Sequence, residues 1–303
     1  MDKIKTSGYF FGFAAVFLWS WNVIISRYLA DLVPAFQISF GRWVFAILAL
    51  LPFTAKSLWQ YRYHFLRSWK LMLAMGFTLA FQNYFVYRAG HTSMAIDMSL
   101  IATTGPLFMV LMSALLFKIF LSKRQLIGLI LAFLGVLVVI THGSLLNLKG
   151  FHFVSGDFWM LMDALFFGFY SVIQTKKDPV IPHLTLLCGT IVLSLIILFP
   201  FFLYTLPAAP LSELNGRSWG LIIYLGVFNS IFGYLWWNIA LEKLGNVQTG
   251  LMYYTIPLFS TTEAFFLLHE KIYESQIWGG LLVLTGIILA SFHTKKAGIV
   301  GRP

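Results

Sequence analysis

Apolar runs of about 18 to 22 residues, separated by short polar stretches, recur along nearly the whole chain, and each can cross a hydrocarbon layer about 30 Å thick as a helix. The pattern predicts ten spans, near 8–27, 36–51, 69–87, 95–117 and 125–141, then 156–175, 183–204, 217–241, 247–268 and 275–292. No soluble domain of useful size fits between them. The first span starts near Gly8 after two lysines and continues without a small-residue cleavage site, which reads as a retained helix rather than a leader. Two of the longer connections carry a signal. Residues 55–68 mix Trp59, Tyr61 and Tyr63 with Lys56, Arg62 and Arg67, the composition of a segment lying on a membrane surface. Pro207 and Pro210 mark 206–216 as an irregular turn.

The spans are written twice. Thr104, Pro106, Leu107 and Phe108 return 151 residues later as Thr255, Pro257, Leu258 and Phe259, and the same step carries Gln125, Gly128, Leu131 and Gly135 onto Gln276, Gly279, Leu282 and Gly286. With a step of 150, Trp69, Leu71, Gly76 and Tyr84 fall on Trp219, Leu221, Gly226 and Tyr234. An internal repeat of this size is a fold-level signal. Because each copy holds an odd number of spans, the second must enter the membrane upside down, the architecture of many secondary transporters.

Composition narrows the class further. Fifty-nine per cent of residues are hydrophobic and eleven per cent charged, against roughly 45–50% and about 25% in an ordinary soluble domain. A soluble globule is excluded. The net charge of +10 does not indicate nucleic acid, because the basic residues occupy inter-helix loops rather than a groove lined with stacking rings. Fifteen of them (Lys3, Lys5, Lys56, Arg62, Arg67, Lys70, Lys118, Lys123, Arg124, Lys176, Lys177, Lys243, Lys295, Lys296, Arg302) fall on one side and five (Arg27, Arg88, Lys149, Arg217, Lys271) on the other. That bias predicts both termini in the cytoplasm. Cys188 is the sole cysteine, so no disulfide or cysteine metal cluster forms within one chain. There is no Walker loop, H-E-x-x-H or nucleophile elbow, and the histidines sit mostly at span ends or in loops, so no catalytic residue, metal site or cofactor is expected.

Trp19, Ser20 and Asn22 in the first span, Arg42 in the second, the Pro106 and Pro257 helices, the run Gly233 to Asn238, and Glu270 followed by Gln276, Gly279 and Gly286 together resemble the drug/metabolite transporter superfamily, most closely its bacterial EamA-type ten-helix members. The likeness covers essentially the whole chain. It implies a central cavity enclosed by spans 1 to 4 and 6 to 9, with spans 5 and 10 peripheral. It says little about substrate, since that superfamily moves amino acids, nucleotide sugars, quaternary amines and other metabolites.

Charged groups at mid-span cost about 2.5–3.5 kcal/mol each on insertion scales, so every one needs a partner, water or a function. Asp163 and Glu263 are the deepest acids and break the repeat, falling opposite Ala14 and Met112. With Arg42, they are the candidates for coupling or for setting cavity charge. Asp163, Phe167, Tyr170 and Gln174 share one helical face, polar at both ends and aromatic between. Trp19 with Asn22, Gln82 and Asn83 with Tyr87, and Asn229 with Trp236 repeat that combination on three other spans. Pro106 and Pro257 each predict a kink, with Thr103, Thr104 and Thr255 hydroxyls available to the freed carbonyls, and these kinks place Thr104 and Tyr254 beside the pocket. The expected substrate-binding set is therefore Trp19, Asn22, Asn83, Tyr84, Thr104, Asp163, Phe167, Tyr170, Asn229, Trp236 and Tyr254.

These readings predict an all-α polytopic membrane protein of ten transmembrane helices in two inverted five-helix repeats, 1–145 and 150–296, with a short cytoplasmic tail at 297–303. The expected function is export of a small amphipathic metabolite, an amino acid or similar, across the inner membrane by alternating access. Its partners are the substrate and the lipid bilayer, with a proton as the candidate coupling ion and a monomer or homodimer as the assembly. Two rivals stand: a choline-like amine carrier, in which Trp19, Tyr84, Phe167, Tyr170 and Trp236 form a cation box, and a membrane enzyme or lipid scramblase.

Overall fold

A chain this apolar must satisfy its backbone internally when surrounded by lipid, and helix does so within each segment. The computed structural model describes residues 3–117, 123–140, 143 and 154–291, and these contain helices and turns but no strand. The tail at 297–303 and Lys118, Lys149, Lys295, Lys296 and Arg302 lie outside the described residues. The first half comprises α1 (Lys3–Leu29), α2 (Ala35–Gln60), α3 (Arg62–Arg67), α4 (Trp69–Ala89), α5 (Ala95–Ala102), α6 (Gly105–Phe117) and α7 (Lys123–Ile140). The second comprises α8 (Ser155–Gln174), α9 (His183–Thr205), α10 (Gly216–Tyr224), a π-helical segment (Leu225–Gly233), α11 (Tyr234–Tyr253), α12 (Ile256–Glu263), a second π segment (Ala264–Leu268) and α13 (Glu274–Ser291).

Six stretches among the described residues are long and apolar enough to cross a membrane: Ser7–Leu29, Ala35–Gln60, Ala95–Leu116, Ser155–Gln174, His183–Thr205 and Gly216–Gly245. Large apolar side chains such as Leu48, Phe53, Ile196, Phe266 and Trp278 point outward. An apolar exterior of this extent is what a lipid-embedded protein presents.

One detail departs from the expected spans, and two breaks fall where the sequence places them. Helix α2 continues beyond 51 to Gln60 with Pro52 inside it, and α3 follows directly, so the stretch expected to be a connection is largely helical. The hydrogen bonds of His64 and the Val180 amide to Asp178 tie α3 to the turn after α8 and hold the Asp178 carboxyl below its usual range. Helix α11 is two helices joined at Gly245, whose φ of +80° favours glycine. The proline-bearing helices break at matching places, between α5 and α6 and between α11 and α12. There Thr103, Thr104 and Thr255 hydroxyls donate to the Leu100, Ile101 and Met252 carbonyls at 2.5, 2.7 and 2.8 Å.

Helices that correspond in the repeat run antiparallel. On α2 and α9, Thr54 meets Cys188 at 3.1 Å and Ser57 meets Thr185 at 2.7 Å, while at the other end Gln37 donates to the Ala209 carbonyl at 2.7 Å. On α7 and α13, Gly135 abuts Gly279 and Gly128 abuts Gly286, two contacts that exchange when the halves are swapped. The same exchange holds elsewhere: Gly76 on α4 packs against Leu193 and Ser194 of α9, and its repeat mate Gly226 packs against Arg42, Phe45 and Ala46 of α2. Helices α1 and α11 pair as α8 and α4 do, and α12 lies on α1 as α6 lies on α8.

The α7–α13 contact relies on glycine for close approach. A Cβ at Gly286 would sit 2.5 Å from both the Gly128 oxygen and the Ala132 nitrogen, which are backbone atoms that cannot swing away. Gly286→Leu is therefore expected to destabilise the protein by about 1–3 kcal/mol through overpacking. At Gly220, where nothing lies within 4 Å, Gly220→Ala should stay within about 0.5 kcal/mol of wild type. Thermal unfolding in one detergent compares the two.

Candidate functional site

Arg42 lies mid-helix on α2, fully buried, and its guanidinium gathers acceptors from both halves. Its Nη1 donates to Asn83 Oδ1 and to the Tyr87 hydroxyl, both at 2.5 Å on α4, and Nη2 donates to Asn229 Oδ1 at 3.2 Å. Nε donates to Ser230 Oγ at 2.8 Å. The rigid fork of five N–H donors suits such a cluster better than a lysine does. Tyr87 in turn donates to Asn22 Oδ1 of α1 at 3.0 Å.

Asn229 and Ser230 reach Arg42 because they lie in the first π segment. Ser230 Oγ donates to the Leu225 carbonyl, five residues back, at 2.7 Å. The same segment seats Trp19, whose indole N–H donates to the Asn229 carbonyl at 3.3 Å and fits against Gly233, where a Cβ would stand 2.6 Å from the indole nitrogen. π segments often mark functional positions.

A directed chain of hydrogen bonds then runs from the base to the acid. Arg42 donates to Asn83, Asn83 Nδ2 to the Tyr234 hydroxyl at 3.2 Å, and Tyr234 to Gln82 Oε1 at 3.2 Å. The Gln82 side chain hydrogen-bonds Asp163, on which the Arg42 charge also acts through space. Each donor points the same way, so the bonds polarise one another. Asp163 and Gln82 border a hollow completed by Trp19, Asn22, Asn83, Phe167, Asn229, Tyr234 and Tyr253, among others. Its volume is about 30 Å³, room for a water or so and far short of the roughly 300 Å³ or more of a typical ligand pocket. Both halves contribute walls, and the hollow is narrow.

Two mouths flank it. At the end where α1 finishes, Asp31, Phe36, Tyr84, Arg88 and His91 line a depression of about 480 Å³. Burial, helped by the Arg88 charge, holds the His91 imidazole below its ordinary range. Between this mouth and the hollow, α1 is clamped to α4: Ser26 donates to the Val86 carbonyl at 2.7 Å and Arg27 to the Gly90 carbonyl at 2.9 Å. At the opposite end, near the start of α1, a pocket of about 250 Å³ opens beside Lys177, His183 and Glu242. Aromatic rings close that side. Trp19 stands edge-on to Phe167 at 5.5 Å and to Tyr234 at 5.2 Å, and Phe167 stacks on Tyr253 at 4.5 Å.

Of the residues expected from sequence, Trp19, Asn22, Asn83, Asp163, Phe167 and Asn229 border the hollow. Tyr170 lies just behind it, edge-on to Tyr234 at 5.7 Å. Four others stand elsewhere. Tyr84 stacks on Phe36 at 4.0 Å in the depression where α1 finishes. Trp236 meets Phe232 and Phe11 on the outer face of α11, while its neighbour Trp237 packs against Trp19 and Phe167. Thr104 turns its hydroxyl back to the helix break, and the wall residue is Tyr253 rather than Tyr254. Glu263 is away from the hollow: it accepts from Ser20 at 2.9 Å, linking α12 to α1. Glu270 caps the start of α5, accepting from the Ala95 and Ile96 amides at 2.9 and 3.1 Å.

The sequence pattern of the EamA-like transporter family matches this chain over residues 6–141 and again over 154–292. The chain is 29% identical to the uncharacterised transporter YyaM of Bacillus subtilis, over 68% of its own length and 69% of that protein's. It is 27% identical to a protein of Escherichia coli named "Probable amino-acid metabolite efflux pump", over 76% and 80% of the two lengths. A solved structure described only as "Crystal structure of protein" superposes with a TM-score of 0.64 at 20% identity, covering 94% of this chain and 96% of that one, and so shares the fold.

Proposed function

Because the chain belongs to the EamA-like transporter family, we propose that it is a secondary carrier of the cytoplasmic membrane that exports a small amphipathic metabolite, an amino acid or a close relative, by alternating access. One observation carries the reading: a small polar hollow walled by both halves lies between two larger depressions at opposite ends of the helices. A polar site at the seam of antiparallel halves, with a depression toward each end, suits passage.

On this reading the chain is two inverted repeats, 1–145 and 150–296, forming ten spans with both termini and the tail at 297–303 in the cytoplasm. Movement at the breaks before Pro106 and Pro257 parts the aromatic side or the α1–α4 clamp in turn, enlarging the hollow to admit substrate. Arg42 holds the two halves together and receives a carboxylate. Asp163 carries the coupling proton or meets an ammonium. Glu263 serves as a tie between helices. The resemblance to the Escherichia coli protein supports an amino acid as cargo. A second reading, a quaternary amine, is favoured by the rings of Trp19, Phe167, Tyr234 and Tyr253 around Asp163.

Reconstitution in liposomes tests the proposal. Preloaded vesicles should exchange radiolabelled amino acids in a saturable manner, faster with an imposed pH gradient. Exchange of choline alone selects the second reading, and absence of flux for every metabolite tried overturns both.

A further inference from the structure

The pocket near the start of α1 has features that closing the hollow does not require. It lies between the end of α8, the start of α9 and α11, at the level of the α1 N-terminus, as the 2.8 Å bond from Lys243 to Ser7 fixes. Asn238 borders it, is wholly buried, and has no hydrogen-bond partner for either amide atom apart from the adjacent Tyr170 hydroxyl. Gln174, 3% exposed, leaves its Oε1 without a partner. Buried amides this poorly satisfied are costly unless something else completes them.

The rim carries one charge of each sign. Glu242 contacts His183 Nε2, and Lys177, within electrostatic reach of Glu242, forms no ion pair among the described residues. The depth of the pocket is one ring from the hollow: Tyr170 faces Asn238 with its hydroxyl and Tyr234 with its ring.

We propose that this pocket is a docking site for the zwitterionic head of an α-amino acid, occupied before the hollow opens. Lys177 takes the carboxylate, Glu242 the ammonium, and the Gln174 and Asn238 amides supply the acceptors and donor below them. The side chain lies along Leu241 and Pro179. This deepens the carrier reading and rests on it for its place in a transport cycle, though not for binding itself.

Equilibrium binding of tritiated L-phenylalanine to the full chain in nanodiscs provides the test. Hydrocinnamate, which lacks the ammonium, and phenethylamine, which lacks the carboxylate, should each compete at least about 10-fold more weakly than L-phenylalanine, as expected when one charged contact is lost. Lys177→Gln and Glu242→Gln, both at the rim and so compatible with folding, should each weaken binding about 10-fold with thermal stability retained. Unchanged affinity in both variants, equal competition by either single-charge analogue, or no saturable binding at all overturns the proposal, the last meaning that water alone completes the amides. Flux in liposomes separates the two readings. Wild type that carries L-phenylalanine while the variants keep its affinity defeats only the docking site, and wild type that binds it at this rim yet carries nothing defeats only the carrier reading.

Discussion

Arg42→Leu is expected to lower stability by about 3–5 kcal/mol, the usual cost of deleting one partner from a buried charged cluster, and to abolish flux. The substitution leaves the Asn83 and Asn229 oxygens, the Tyr87 hydroxyl and Ser230 without their shared donor. It also removes the cation acting on Asp163. Leucine fills only part of the volume and satisfies none of these groups. Arg42→Lys keeps the charge but has three donors on one atom instead of a planar fork, so its stability should fall between the two. Adding Asp163→Asn to Arg42→Leu should recover part of the loss, because the carboxylate is then no longer uncompensated; non-additivity of that size is normal for groups in one network. Thermal unfolding in detergent, with flux in liposomes, measures the series. Simple additivity would show that the two residues act independently.

Asp163→Asn alone carries the second large effect. The amide is nearly isosteric and can still bond Gln82, so the fold should persist. Gradient-driven flux should nevertheless fall by about 100-fold, close to 2.7 kcal/mol, because asparagine neither takes up and releases a proton nor meets an ammonium. Glu263→Gln, altering an acid that binds Ser20 away from the hollow, should retain most of the flux. Loss only in Glu263→Gln would assign coupling to the α1–α12 junction instead, and equal loss in both variants would spread it over the two acids.

The fold was legible where its physics is periodic. Apolar runs gave the helices, and the repeated Gly128, Gly135, Gly279 and Gly286 marked the two that press together. The candidate site was legible in kind: an arginine, an acid and several asparagines at mid-span cannot face lipid. Which aromatic faces inward was harder to read, for a specific reason. Asn229 and Trp236 are seven apart and share a face on an α-helix, but π winding through Leu225–Gly233 takes more residues per turn and brings Trp237 into phase instead. The same winding turns Tyr234 inward although its repeat mate Tyr84 lines the depression where α1 finishes. No residue in that stretch announces a π segment. Tyr254 and Thr104 both adjoin a helix break, where a regular face is not maintained, so periodicity does not fix which way they point.

The central claim, that one hollow opens to each side in turn, does not depend on knowing the substrate. Ala102 borders the hollow and is 1% exposed, so Ala102→Cys in a Cys188→Ala background places a single thiol there. A membrane-impermeant thiol reagent added to right-side-out and to inside-out vesicles should modify that cysteine from both faces, each slowly. Modification from one face only, or from neither, would contradict alternating access.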